Sequence, residues 1–215
     1  MNQWHLRLAV RVLRRGGLVL HAAEGVWGIA ADPWNSEAIA DLLMLKGRAH
    51  AKGLIVIGAG AEMFADEISI LDPAARDRIA QSWPGPVTWI VPTYRYPAWV
   101  TGRHHTVGIR VPGHPQARAL SRLFGGPLVS TSANLSGRPP ARRMLQATQF
   151  LHAPAGQRLR SRRRICLLPG ETMGNAGPSE IRTLGGGYLR LRQGDGDGAD
   201  GQSPAPAGCP RVEDK

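Results

Sequence analysis

Three stretches of this chain gather side chains suited to a phosphorylated, carboxylate-bearing ligand. In Lys46-Gly47-Arg48-Ala49-His50-Ala51-Lys52-Gly53, three cations lie close together between an apolar helical repeat and an apolar run. Lysine offers a point charge and arginine a planar fork of donors, so together they neutralise a triphosphate and the charge that grows as pyrophosphate leaves. Taken alone, the segment reads first as a solvated helix end, where the dipole favours bases. The second stretch, Pro127-Leu128-Val129-Ser130-Thr131-Ser132-Ala133-Asn134-Leu135-Ser136-Gly137, runs an apolar strand into hydroxyl and amide residues. Ligand crevices of open α/β sheets lie at strand carboxyl ends, and small polar residues there let backbone N–H groups approach phosphate oxygens; an ordinary Ser/Asn turn has the same composition. In the third, Thr106-Val107-Gly108-Ile109-Arg110-Val111-Pro112, an arginine stands inside an apolar strand. A charge so placed must be paired or face a polar cleft, so either a structural ion pair or a ligand carboxylate serves it.

These groups need a scaffold, and the hydrophobic pattern supplies one. Leu6, Ala9, Val10 and Leu13 repeat at helical spacing up to Gly16-Gly17, and Leu18-Val19-Leu20 follows as a buried strand. Ser36 is placed to cap a helix carrying Ile39, Leu42, Leu43 and Leu45, which feeds the strand Leu54–Ile57. Val87–Val91, Val107–Val111, Pro127–Ser130 and Ile165–Leu168 read as short strands, with helices over Pro73–Ser82 and Pro115–Phe124. Alternation of this kind predicts an α/β sheet with flanking helices. His21 reads as a packed polar residue, His50 as a solvated one, and Trp27, Trp83 and Trp89 as packing groups.

The 215 residues carry a formal net charge of +11. The last 21, Asp195–Lys215, hold five acids against two bases, so their −3 leaves +14 on residues 1–194. That basic body attracts polyanions such as nucleotides and RNA, and Arg138–Arg164 concentrates eight arginines with no acid. The Gly/Pro-rich acidic tail 195–215 has nothing to bury and is expected to be disordered; residues 1–194 are expected to form one domain. Cys166 and Cys209 form no metal-ligand spacing, so no metal site is predicted. With no signal-peptide h-region at the start and no apolar run of spanning length, the expectation is a soluble, cytoplasmic protein. No Ser-His-Asp signature, Walker loop or dinucleotide fingerprint is present.

Lys46-Gly47-Arg48 with Lys52-Gly53-Leu54-Ile55, Trp83-Pro84-Gly85-Pro86-Val87-Thr88, Gly108-Ile109-Arg110-Val111-Pro112 with His114-Pro115, Ser132-Ala133-Asn134-Leu135-Ser136-Gly137, and Pro178-Ser179-Glu180-Ile181-Arg182, in that order, resemble the YrdC/TsaC family of threonylcarbamoyl-adenylate synthases. The resemblance spans about residues 5–194. It implies a twisted mixed sheet with a basic concave cleft, and condensation of L-threonine, bicarbonate and ATP, with Mg²⁺ beside the ATP, to threonylcarbamoyl-AMP and pyrophosphate. The downstream partner would be the machinery that transfers the threonylcarbamoyl group to tRNA. By the same resemblance Lys46 and Arg48 would be catalytic, and Arg48, Lys52, Thr106, Ser132, Asn134 and Arg192 would hold ATP. Arg110 and Ser179 would hold threonine.

The chain departs from the pattern after its first strand. The family's Pro-Thr-Glu is here Ala22-Ala23-Glu24, so the threonine-binding hydroxyl is absent at Ala23 while Glu24 is kept, and Ile57 stands where some relatives place a histidine. One lost neutral hydrogen bond costs about 1 kcal/mol, which predicts weakened rather than abolished threonine binding. That departure and the Arg138–Arg164 stretch, a candidate contact for tRNA or double-stranded RNA, sustain the alternative of a non-catalytic RNA-binding or ribosome-maturation module. A carbamoyl-transferring domain of hydrogenase maturation ranks behind it, lacking the expected zinc-finger cysteines.

Overall fold

The computed structural model describes residues 2–49, 53–175 and 177–190. His50, Lys52, Arg192 and the acidic tail lie outside the described residues.

Local signals set the elements. Asn2 accepts from the Trp4 amide and opens α1 (Gln3–Arg14), and Gly16, at φ 73°, turns the chain into β1 (Leu18–Ala22). After β2 (Trp27–Ala31) comes α2 (Ser36–Lys46). Its cap is Asn35 rather than Ser36: the Asn35 side chain accepts from the Ala38 amide at 2.9 Å, which places Ser36 in the first turn. The chain continues through β3 (Ile55–Ile57), a 3-10 turn (Ala61–Phe64), α3 (Ala65–Ser69) and α4 (Pro73–Ser82), capped by Asp72. Then follow β4 (Val87–Pro92), α5 (Ala98–Thr101), β5 (Thr106–Arg110), α6 (Pro115–Phe124) and β6 (Leu128–Ser132). The last elements are α7 (Met144–His152), α8 (Pro154–Ser161), β7 (Ile165–Leu167), β8 (Glu180–Thr183) and β9 (Tyr188–Arg190).

Among the described residues the strands form one nine-stranded sheet in the order β7-β1-β2-β6-β3-β5-β4-β8-β9. Parallel pairs (β1 with β7, β3 with β5, β4 with β8) mix with antiparallel ones, so the sheet is mixed, as the sequence leads one to expect. Side chains alternate across it with period two. Leu18, Leu20, Ile29, Val56, Val129, Ile109 and Trp89 point to one face, where α2, α4, α5, α7 and α8 build the larger core. Val19, Ala30, Ile57 and Leu128 point to the other, beneath the buried residues of α1 and α6. These two helices cover only part of that second face; the uncovered remainder is the floor of the site.

One connection has unusual reach. β7 and β8 follow each other in sequence, yet six strands separate them in the sheet. At about 4.8 Å per strand step the gap is roughly 34 Å, and residues 168–179 bridge it with at most ~3.3–3.6 Å per residue. The connection therefore crosses the strand ends as a strap. It is pinned by Gln116 Nε2 donating to the Pro169 carbonyl at 2.7 Å, by His114 Nε2 at 2.9 Å from the Glu171 carbonyl, and by the Asn175 amide donating to the Glu24 carbonyl at 3.2 Å.

Candidate functional site

A cavity of about 350 Å³ opens on the uncovered sheet face. Its floor uses alternate residues of neighbouring strands: Gly28 of β2, Ser130 and Ser132 of β6, Ile55 and Ile57 of β3, Thr106, Gly108 and Arg110 of β5, and Ile90 of β4. Glycine gives the floor its depth at 108, where a Cβ would lie 3.2 Å from Thr88 Cγ2 and 3.3 Å from Ile55 Cγ1. Val107 and Ile109 point into the core, so one strand serves packing and chemistry at once.

The strand arginine has its carboxylate within the chain. Arg110 donates to Glu24 through one terminal nitrogen and to the Gly85 carbonyl through Nε at 3.0 Å, while the Gly113 amide donates to the other Glu24 oxygen at 2.6 Å. Both residues are buried. Burial pushes the Glu24 carboxyl up, but Arg110 and the hydrogen bonds outweigh it and hold the pKa below the usual range. Of the two readings the sequence leaves open, the ion pair is the one formed; with Nε and one terminal nitrogen engaged, Arg110 still lines the cavity.

Opposite it, Arg190 of β9 donates through Nε to the Ser179 carbonyl at 2.8 Å and through a terminal nitrogen to Ser179 Oγ at 3.2 Å, and Ser179 Oγ lies 3.1 Å from Thr88 Oγ1. Burial, then Arg110, then Arg48 lower the Arg190 pKa, so three guanidinium groups converge on one cavity. Such an arrangement suits an anion of more than one charge.

Lys46 has a different place. It ends α2, is 3% exposed, and its Nζ donates to the Ser132 carbonyl, to the Asn134 carbonyl at 2.9 Å and to Asn134 Oδ1 at 3.2 Å. Ser132 Oγ adds a bond to Asn134 Oδ1 at 2.6 Å, and Asn134 Nδ2 donates to the Arg138 carbonyl at 2.7 Å. Lys46 and Asn134 thus build the turn that presents Ser132 instead of lining the cavity themselves. Burial, with Arg48 nearby, pushes Lys46 down to about 8. Arg48 is half-buried, donates to the Gly53 carbonyl at 2.7 Å and lines the cavity.

Ala23, Arg48, Thr106, Arg110, Ser132 and Ser179 of the expected set therefore surround one space. Arg190, His104 and Gly28 also line the cavity and are not among the expected site residues, while Ser130 and Gly108, within the second and third candidate stretches, share the floor with Ser132 and Arg110 by period-two alternation. Arg190 carries a fainter signal, one basic residue in the alternating run Leu189-Arg190-Leu191-Arg192. The Arg138–Arg164 stretch lies outside the cavity lining and supplies the residues of α7 and α8. Among the described residues no helix is long and apolar enough to cross a membrane.

A family model for Sua5, YciO and YrdC proteins, described as "Telomere recombination", matches residues 11–194. The chain is similar to a threonylcarbamoyl-AMP synthase of Nitrosococcus oceani, 42% identical over 83% of this chain and 92% of that one. It is also similar to one of Pseudomonas aeruginosa, 41% identical over 86% of this chain and 95% of the relative. Among solved structures it resembles P. abyssi Sua5 complexed with L-threonine, with TM-score 0.77 and 27% identity over 88% of this chain; it spans about half, 54%, of that longer protein.

Proposed function

The chain belongs to the Sua5/YciO/YrdC family, and we propose that it is a threonylcarbamoyl-AMP synthase, condensing L-threonine, bicarbonate and ATP to threonylcarbamoyl-adenylate and pyrophosphate. The observation that carries this reading is the convergence of Arg48, Arg110 and Arg190 with Thr106, Ser132 and Ser179 around one cavity. Relatives matched over nearly their whole length bear the synthase name, which disfavours the non-catalytic alternative.

In this reading the threonine amine and bicarbonate give a carbamate and water. A carbamate oxygen attacks the α-phosphorus of ATP, the bond to the bridging oxygen breaks, and pyrophosphate leaves with the electron pair. Arg48, with Lys52 and Arg192, neutralises the triphosphate, and Thr106 and Ser132 hold the nucleotide. Ser179, oriented by Arg190 and Thr88, and Arg110, neutralised in advance by Glu24, hold threonine. Because Glu24 already balances Arg110, net attraction for the amino-acid carboxylate falls chiefly to Arg190. No nucleophile is needed from the chain: positioning and fixed positive charge supply the acceleration. Mg²⁺ enters with the ATP phosphates; among the described residues no group of three acids, histidines or cysteines gathers to hold it.

The catalytic unit is residues 1–194, with 195–215 an appended tail, and the setting is the cytoplasm. The product passes to the tRNA-modifying machinery, and the arginines of 138–164 give tRNA or double-stranded RNA a basic face to meet.

The test is pyrophosphate release by the full chain with ATP, Mg²⁺ and bicarbonate, with and without L-threonine, L-serine serving as control. Threonine-dependent release is expected; ATP binding without it would return the RNA-binding module to first place.

A further inference from the structure

His21 lies 1% exposed beside the cavity floor, on the same sheet face, and has no part in the chemistry above. Its Nδ1 is 3.1 Å from the Ala22 carbonyl and its Nε2 is 3.0 Å from Ser130 Oγ. A carbonyl only accepts, so Nδ1 carries the hydrogen. Complete burial pushes the ring's pKa down to about 4, so it is neutral in working conditions and Nε2 is a bare lone pair. Ser130 must then donate its only hydroxyl proton sideways, to Nε2. What it turns to the cavity is oxygen lone pairs.

Gly28 makes this contact possible. It pairs with His21 on β1 and with Ser132 on β6, and a Cβ there would meet His21 Nε2 at 2.8 Å and Ser130 Oγ at 3.0 Å. The three residues form one device: a glycine gap, a buried imidazole of fixed tautomer, and a serine whose polarity that imidazole sets.

We infer that His21 is a positioning residue that fixes Ser130 as a hydrogen-bond acceptor on the cavity floor, selecting a ligand group that donates. The deduction rests on the synthase reading for the ligand's identity: L-threonine brings an amine and a hydroxyl as donors, the ATP phosphates are acceptors, and the separate effects on the KM values for threonine and ATP distinguish the amino acid from the nucleotide's ribose hydroxyls and adenine amine. The acceptor at Ser130 favours the amino acid over a stray phosphate in that part of the cavity.

Two measurements test this. The first needs no substrate: in the uniformly ¹⁵N-labelled full chain, long-range ¹H–¹⁵N spectra should show His21 as the neutral Nδ1–H tautomer from pH 5.5 to 8. An Nε2–H tautomer or a charged ring overturns the polarity argument. The second is a kinetic cycle of His21→Phe, Ser130→Ala and the double variant. His21→Phe should raise the KM for L-threonine about tenfold and leave the KM for ATP within twofold, with His21→Gln, which restores an acceptor, recovering most of the loss. In the Ser130→Ala background, His21→Phe should add less than twofold. Independent, multiplying defects, or equal losses for ATP and threonine, would reduce His21 to a packing residue and overturn the inference. A wild-type chain without threonine-dependent turnover would sink the synthase reading and the ligand assignment with it, while the tautomer measurement still decides the polarity of Ser130.

Discussion

The guanidinium of Arg110 donates to the carboxylate of Glu24, tying the end of β5 to the turn after β1 at the cavity wall. Breaking a buried pair by removing one partner costs about 3–5 kcal/mol, because the other charge is stranded. Glu24→Gln should therefore lower stability to urea by about that amount, and Arg110→Met added to it should restore part of the loss. The carboxyl's folded pKa lies below its unfolded value of 4.5. Its contribution is thus complete above about 4.5 and lost as the pH falls through the folded value. Wild type should show this acid limb in urea midpoints, and Glu24→Gln should show less of it.

Lys46 gives opposite trends in stability and turnover at alkaline pH. An ammonium has three hydrogens for its three oxygen acceptors; the neutral amine has two. Loss of the proton near pH 8 should loosen the Ser132 turn, and kcat should fall on an alkaline limb centred there. Stability from this group runs the other way: between about 8 and 10.5 the unfolded chain binds the proton more tightly, so the burial penalty, full below 8, fades as pH rises. Lys46→Arg, charged throughout, should shift the limb upward; a limb that stays put would assign it to another group.

At Ala23, restoring a hydroxyl should strengthen amino-acid binding. Ala23→Thr is expected to lower the KM for L-threonine about fivefold, equivalent to about 1 kcal/mol, with the KM for ATP unchanged. Titration of both substrates against both proteins checks it.

Arg48→Ala and Arg190→Met should each reduce turnover by about 100-fold, since each removes a guanidinium from the cavity and the second also strips Ser179 of two donors. Arg143→Ala should leave turnover within twofold but weaken retention on double-stranded RNA at low salt. Equal losses in all three would misplace the cleft.

The strap offers a length test. Deleting Met173 and Gly174 removes roughly 7 Å of reach from a connection with little to spare. The two cores should survive, with thermal melting lowered by a few degrees, while L-threonine binding is lost because Ser179 and Arg190 no longer reach the cavity. Calorimetric titration of L-threonine against the folded variant measures it.

Much of this architecture is legible in the residues. α4 and α6 fall where Pro73 and Pro115 announce them, and α1 buries its expected Leu6, Ala9, Val10 and Leu13. Strand β2 escaped because Gly28, Ala30 and Ala31 dilute its β-propensity; its place in the sheet comes from the neighbours on either side. Helices α7 and α8 hid among arginines, Arg142 and Arg143 before the first and Arg158 and Arg160 within the second, which draw the eye to charge rather than period. At the site, Arg110 announces itself by standing in an apolar strand, but its partner Glu24 is 86 residues away and no local pattern links the two. Lys46 was legible as a cation and illegible as a strut, because the carbonyls it holds belong to β6 and the turn beyond.

The strap also dictates an order of events. While the chain leaves the ribosome, the helices of both faces and seven of the nine described strands are made before the residues of β8 and β9 that line the cavity. A chain that stops at β7 therefore lacks Ser179 and Arg190, and should bind no L-threonine. With β8 and β9 in place, the threonylcarbamoyl-adenylate, reaching from Arg48 to Arg190, acts as a latch on these two strands, so ATP, bicarbonate and L-threonine together should shield them from proteases more than ATP alone.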